Sequence, residues 1–391
     1  MIVLQVFFWF AIAWIAYANV GYLALLLLLA RFIRRPVAQA DVTPSVSLLI
    51  AAHNEEAVLA AKLENSLALD YPRERLEIIV VSDASTDRTD EIASAYAGRG
   101  VRLLRVAENH GKVHALNLAV PTAGGEILVF SDADSTYAPD ALRKLVRNFA
   151  DPRVGAVTGE ERRVAGPDAS GLGESLYCRL DNRIKRLEGQ IGSTVMVNGG
   201  FFALRRELYP PLPPHLVHDA LVPCLLHLRG YRTAYEQEAR SVETYPLDAR
   251  GDFRRRVRTV LQAFSSYMSA PAALNPLRSG FFALQVFSHR FSRWFVLPWL
   301  AVALVAGAVL SPDLPLYRWL LAGQALCYAL ALAGGILERR GVRVKVFYLP
   351  YYFLYIHAAA FVAIAQALGG KRVSTWRPTT RAAVSRPEER L

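Results

Sequence analysis

The sequence predicts an α/β domain with a mostly parallel sheet, carried on membrane-spanning helices. Three observations predict it. Between residues 41 and 250, short continuous apolar runs alternate with helical patterns, as in strands covered on both faces. Long apolar segments flank that region on both sides, each near the 20 or so residues a span needs. The 391 residues are 53% hydrophobic and only 20% charged, with a mean hydropathy of +0.21, which excludes disorder for most of the chain.

The net charge of +11 is unevenly placed. Residues 41–250 hold 24 Lys and Arg against 29 Asp and Glu, a net −5, so the remainder carries +16 beside the apolar segments. That is a juxtamembrane pattern and speaks against a nucleic-acid groove. Cys178, Cys224 and Cys327 are few, odd in number and far apart, which excludes a disulfide framework and a cysteine zinc site.

The elements follow in order. Residues 1–35 form an N-terminal span, apolar over 2–30 apart from Gln5 and Asn19 and closed by Arg31, Arg34 and Arg35. No positive charge precedes it, unlike a cleaved signal peptide. Three further spans are expected within 294–368, at about 294–311, 317–337 and 346–368. The arginines after the first span, Arg278, Arg290 and Arg293 before the second, and Arg339, Arg340, Arg343 and Lys345 before the fourth fall on one face, the cytoplasmic one by the positive-inside rule. The turn Ser311–Pro315, with Asp313, falls opposite. Residues 251–293 read as amphipathic interfacial helices, with arginines toward the headgroups. The basic polar tail, 369–391, would lie outside after four full spans, unless one segment is re-entrant or interfacial.

Within the 41–250 domain, the run Val46–Ala52 ends at His53-Asn54-Glu55-Glu56, Leu76–Val81 at Ser82-Asp83, and Glu126–Phe130 at Ser131-Asp132-Ala133-Asp134. Polar clusters thus recur at the C-terminal ends of strands, the edge where open α/β sheets bind ligands. Asp132 and Asp134, spaced i, i+2, share a face in extended backbone, and two close carboxylates call for a cation between them. So few oxygen ligands suit Mg²⁺ or Mn²⁺ completed by phosphate oxygens and water; the plainer alternative is a pair of turn aspartates. Asp83, at a strand tip, reads as a nucleoside contact or a helix cap. Lys112 stands at a helix start, where a cation is out of place unless an anion binds there. Asp219, in Val217-His218-Asp219, is a candidate general base or a helix cap. Gly199 and Gly200 allow backbone to approach a ligand closely. His53, His110 and His114 lack metal-ligand spacing with acidic partners and read as supporting groups, with His53 in the donor-binding cluster. A Walker loop and a Gly-x-Ser-x-Gly turn are both absent, which excludes a P-loop NTPase and leaves a serine nucleophile without support.

Taken together, Ala52-His53-Asn54-Glu55-Glu56, Ser82–Asp87, Gly111-Lys112 with Ala115-Leu116-Asn117, Asp132-Ala133-Asp134 and His218-Asp219 resemble the membrane-bound family 2 glycosyltransferases. The resemblance runs from about Ser45 to Arg258 and includes the tail Gly370–Arg377. It implies a GT-A, Rossmann-like fold and an inverting transfer. Glu55 and Asp83, with His53, would hold the nucleotide sugar. Asp132 and Asp134 would hold Mg²⁺ or Mn²⁺ and the diphosphate near Lys112, and Asp219 would be the base. Arg255 and Arg258 would serve the diphosphate or the acceptor. The family's usual acidic pair is His218-Asp219 here, and the processive members' Gln-x-x-Arg-Trp is replaced by Arg255-Arg256-Val257-Arg258-Thr259, which weighs against processivity.

The implied function is transfer from a nucleotide sugar, commonly a uridine one, to a lipid-linked or cell-envelope saccharide. It would occur at the cytoplasmic face of a bacterial inner membrane, with membrane lipids as partners and no nucleic acid. A processive polysaccharide synthase that exports its polymer is the alternative, and a non-catalytic nucleotide-binding scaffold is the reading from another class.

Overall fold

The computed structural model describes residues 1–164, 171–244, 249–312, 314–342 and 344–375. Asp313, Arg343, Trp376 and Arg377 lie outside the described residues. The domain is built on an eight-stranded sheet: β1 (Val46–Ala52), β2 (Leu76–Asp83), β3 (Val101–Val106), β4 (Ile127–Asp132), β5 (Ser135–Tyr137), β6 (Val154–Val164), β7 (Phe201–Arg205) and β8 (Arg232–Thr244). Their order is β3-β2-β1-β4-β7-β6-β8-β5. The half formed by β3, β2, β1 and β4 is parallel. Beyond β4 the sheet is mixed, because β7 runs antiparallel to both its neighbours and β5 antiparallel to β8, while β6 and β8 pair in parallel.

The parallel half explains why its strands read as unbroken apolar runs. Leu48, Ile50, Ile78, Val80 and Val129 face one buried cluster, and Leu49, Ala51, Ile79, Val81, Leu128 and Phe130 face the other. Alternate residues enter opposite layers, so the inner strands are apolar at nearly every position, whereas edge strand β3 carries exposed Arg102 and Arg105.

Three helices are long and apolar enough to cross a membrane: Ile2–Phe32, Pro315–Arg339 and Lys345–Leu368. The expected span at 294–311 is different. Phe281–Trp294 and Val296–Leu310 form a pair bent by 57°. Pro298 lacks the N–H that would bond back to Trp294, and the break falls at Phe295 (φ −95°, ψ 10°). The 15 residues of Val296–Leu310 rise only about 22 Å, short of a hydrocarbon core of about 30 Å.

The helix Ala249–Met268 is amphipathic as expected, but protein covers its apolar face. Val257 and Leu261 pack on Ala359 and Ala363 of the last helix, and Ala263 and Phe264 join Val113, Ala220 and Leu221 of the domain. The described part of the tail then returns to the domain. Gln262 Nε2 donates to the Val373 carbonyl at 2.9 Å, and the Ser374 carbonyl lies against Gly111. The described part of the tail therefore lies on the domain side of the apolar helices.

Candidate functional site

The strand-end clusters do converge. Asn54, just after β1, and Ala84, just after β2, have φ of 56° and 53°, and are the non-glycine residues with positive φ among the described residues. Left-handed backbone at a non-glycine costs free energy and tends to collect at functional sites. The two turns are tied together. Asn54 Oδ1 accepts from Thr86 N at 2.7 Å, and the Glu55 N–H donates to Thr89 Oγ1 at 2.8 Å. Glu55 is buried beside them.

Asp83 is buried, and its carboxylate accepts from Gly111 N at 2.9 Å and His110 N at 3.3 Å. It therefore fixes the turn that leads into Lys112. His53 braces the same turn. Its Nδ1–H donates to the Asp83 carbonyl at 2.7 Å, which leaves Nε2 to accept from Asn109 Nδ2 at 3.0 Å. His110 and His114 pack edge to face with each other outside this arrangement.

Lys112 opens the helix Lys112–Ala119. Its ammonium donates to Asp132 Oδ1 at 2.5 Å and to the Gly199 carbonyl at 2.9 Å. Burial pushes this ammonium down, but Asp132, Asp219 and Asp134 together carry it above its usual range. Asp219 is raised, chiefly by burial, against the opposing pull of Lys112. Both glycines matter sterically. A Cβ on Gly199 would stand 3.4 Å from the Asp219 carboxyl carbon, and one on Gly200 would stand 2.8 Å from Asp132 Oδ2.

His218, where the family pattern has an acid, is a core residue. Burial, with help from Lys112, pushes its imidazole down to about 3. It stacks on Phe130 and Tyr209. Tyr209 donates to Asn117 Oδ1 at 2.7 Å, so His218 Nε2–H donates to the Tyr209 oxygen at 3.0 Å. A charged carboxylate in this buried aromatic pocket would carry a large desolvation cost.

Two lysines and an asparagine escape a linear reading. Lys62 is buried, donates to the Ser135 carbonyl at 2.7 Å, and sits 3.5 Å from the Tyr137 ring centre. Burial pushes it down to about 7 against the pull of Asp134 and Asp132. Lys185 donates to Asn198 Oδ1 at 2.5 Å and pairs with Asp181 at 2.7 Å. Asn198 in turn donates to the Gly159 carbonyl at 2.7 Å, holding the Gly199-Gly200 turn from behind. The only signal in the sequence was Asn198 immediately before two glycines.

A cavity of about 440 Å³ adjoins part of this set; His53, Glu55, Lys62, Asp83 and Asp134 are not in its lining. Lys112, Asp132, Gly199, Gly200 and Asp219 line it, as do Arg255 and Arg258. Arg255 lies 3.6 Å from Glu243. Burial, and then Arg255, lower the affinity of Arg258 for its proton. Asp134 belongs to the same charge cluster. The donor set fits a hard divalent cation: two carboxylates, Asp132 and Asp134, on one turn, with glycine backbone abutting one of them. No group of three or more His, Cys, Asp or Glu converges on a metal position among the described residues, so substrate oxygens and water would complete the coordination.

A half-parallel sheet with acidic turns at its strand ends and a carboxylate lining a cavity beside them is the architecture of a GT-A-type sugar-transfer domain. Residues 47–210 match the glycosyl transferase family 2 model. Among solved structures, the mannosyltransferase PcManGT from Pyrobaculum calidifontis, in complex with GDP-Man and Mn²⁺, superposes with a TM-score of 0.71 at 27% identity. That match covers 93% of this chain and 99% of the other. The poly-β-1,6-N-acetyl-D-glucosamine synthase of Staphylococcus aureus (strain COL) is 31% identical over 232 residues, 58% of this chain and 56% of the relative. The synthase of Staphylococcus epidermidis is 28% identical over 220 residues, 54% of this chain and 53% of the relative. The chain thus aligns with little more than half the length of the curated relatives.

Proposed function

We propose that the protein transfers a sugar with inversion from a nucleoside-diphosphate sugar to a hydroxyl of a lipid-linked or envelope saccharide at the membrane surface. The observation that carries this reading is Asp219, lining one cavity together with the Lys112–Asp132 pair. The β1 and β2 turns, with Glu55, His53 and Asp83, form the nucleoside side. Lys112 places positive charge beside the diphosphate, and Arg255 or Arg258 adds charge from the membrane side. Asp132 and Asp134 would hold a divalent cation, which when bound would supply Lewis-acid stabilisation to the diphosphate. Asp219 takes the acceptor's hydroxyl proton. The acceptor oxygen bonds to the anomeric carbon from the opposite face as the bond to phosphate breaks, and the nucleoside diphosphate leaves.

PcManGT binds GDP-Man, and the staphylococcal relatives are polymer synthases, so a guanosine donor and a processive product belong in the same test. The missing Gln and Trp around Arg258 favour one or a few transfers. The test is nucleoside-diphosphate release by detergent-purified protein with Mn²⁺ or Mg²⁺ across UDP- and GDP-sugars, followed by sizing of the product. One donor giving metal-dependent release and a short product is the expected result. Nucleotide binding with no release, even when membranes supply the acceptor, would leave the scaffold reading in its place.

A further inference from the structure

The cavity that holds Asp219 does not end in the domain. Asn19, Arg290, Arg293 and His357, all from apolar helices, line its far part. Two π turns meet there, Tyr17–Gly21 and Phe287–Phe291. Tyr17 and Ser288 hydroxyls lie 2.6 Å apart, and Arg293 Nε donates to the Ala18 carbonyl at 3.3 Å. Such turns recur at functional sites because the extra residue redirects side chains.

The cations in this region outrun their partners. Arg290 is 8% exposed and Arg293 9%. Arg290 Nη2 lies 3.3 Å from Asp181, but that carboxylate already pairs with Lys185 at 2.7 Å and contacts His289 at 2.9 Å. Glu188 is engaged by Tyr22 and by His289. Arg290 Nε, Arg293 Nη1 and His357 Nε2 are buried with no hydrogen-bond partner among the described residues. Buried guanidinium donors without an acceptor are costly, and their planar fork matches phosphate oxygens. Trp294, Ile356 and Ala360 add apolar wall beside them.

We propose that Arg290 and Arg293, with His357, seat the phosphate of a lipid-linked acceptor, so that its sugar hydroxyl reaches Asp219 along the same cavity. This rests on the transferase reading above, but its test requires no turnover. Equilibrium binding of geranylgeranyl phosphate, geranylgeraniol and inorganic phosphate is measured on the full chain in detergent, for wild type, Arg293→Gln and Arg293→Lys. The phosphate ester should bind about 10- to 100-fold more tightly than the alcohol, the range of a lost charge-assisted hydrogen bond. Arg293→Gln should lose that preference, and Arg293→Lys should keep part of it. If Arg293→Gln does not fold, the lysine variant and the ester-to-alcohol ratio in wild type still decide. Equal binding of ester and alcohol, or an undiminished preference in Arg293→Gln, overturns the proposal. Inorganic phosphate competing as well as the ester also overturns it, since that marks a free-phosphate site. Absence of nucleoside-diphosphate release from every donor refutes the transferase reading separately and leaves the binding result intact.

Discussion

Gly111 sits where three parts of the molecule meet, and replacing it with alanine tests that junction. Its φ of 97° and ψ of 161° lie in a region open essentially to glycine. Its N–H is held by Asp83, Lys112 follows it, and a Cβ would overlap the backbone carbonyl of Ser374. Alanine therefore bears two separable costs. Backbone strain amounts to about 1–3 kcal/mol. Displacing the tail forfeits the Gln262–Val373 hydrogen bond, about 1 kcal/mol. Gly111→Ala should lower stability in the full chain by about 2–4 kcal/mol, but by only the strain in a chain that ends at Gly370. Chemical denaturation in detergent of the four proteins of this cycle gives the coupling directly. A coupling within the ~0.5 kcal/mol expected of independent sites would refute the packing of the tail on the Lys112 turn.

Three other outcomes follow from the site. Asp219→Asn should cut nucleoside-diphosphate release by about 10²–10⁴-fold, the usual yield of a positioned base. Because burial raises the Asp219 carboxyl, the acid limb of kcat/KM should lie above the ordinary carboxylate range. A raised acid loses native stability as pH rises from its unfolded value through its folded one, so Asp219→Asn should melt no lower than wild type at pH 7, and a lower melting temperature would contradict the shift. Lys112→Met removes the charge that opposes that rise and should move the acid limb up; an unmoved limb in a pH–rate profile would show that the two groups do not interact. Gly200→Ala brings a methyl group to 2.8 Å from Asp132 Oδ2 and should raise the donor KM about tenfold or more, whereas an unchanged KM would place the donor elsewhere.

The legible features were those that one strand end or one periodic run encodes locally. His53, Glu55, Asp83, Asp132 and Asp134 each follow an apolar run, and the parallel sheet sets those run ends side by side. Lys62 was not legible because it sits on a helix more than 70 residues before the Ser135 carbonyl it donates to. The same holds for Asn198 with Lys185, and for Arg290 with Asp181, where nothing in the local pattern separates a buried pair from solvated charges. The bend at Phe295 needs both Pro298 and the packing around it.

Apolar periodicity and the acidic turns thus determined, without any structure, the α/β domain, the strand ends that carry its acidic turns and the apolar helices, because those depend on spacing within one segment. Tertiary structure alone decided that Asp83 and His53 brace the Lys112 turn, that His218 is a neutral core residue, and that the tail closes back on Gly111. It also decided that one cavity connects Asp219 to arginines of the apolar helices. Those facts depend on which distant segments share a dielectric environment and a hydrogen-bond partner, and burial and pairing of that kind are set only when the chain is packed.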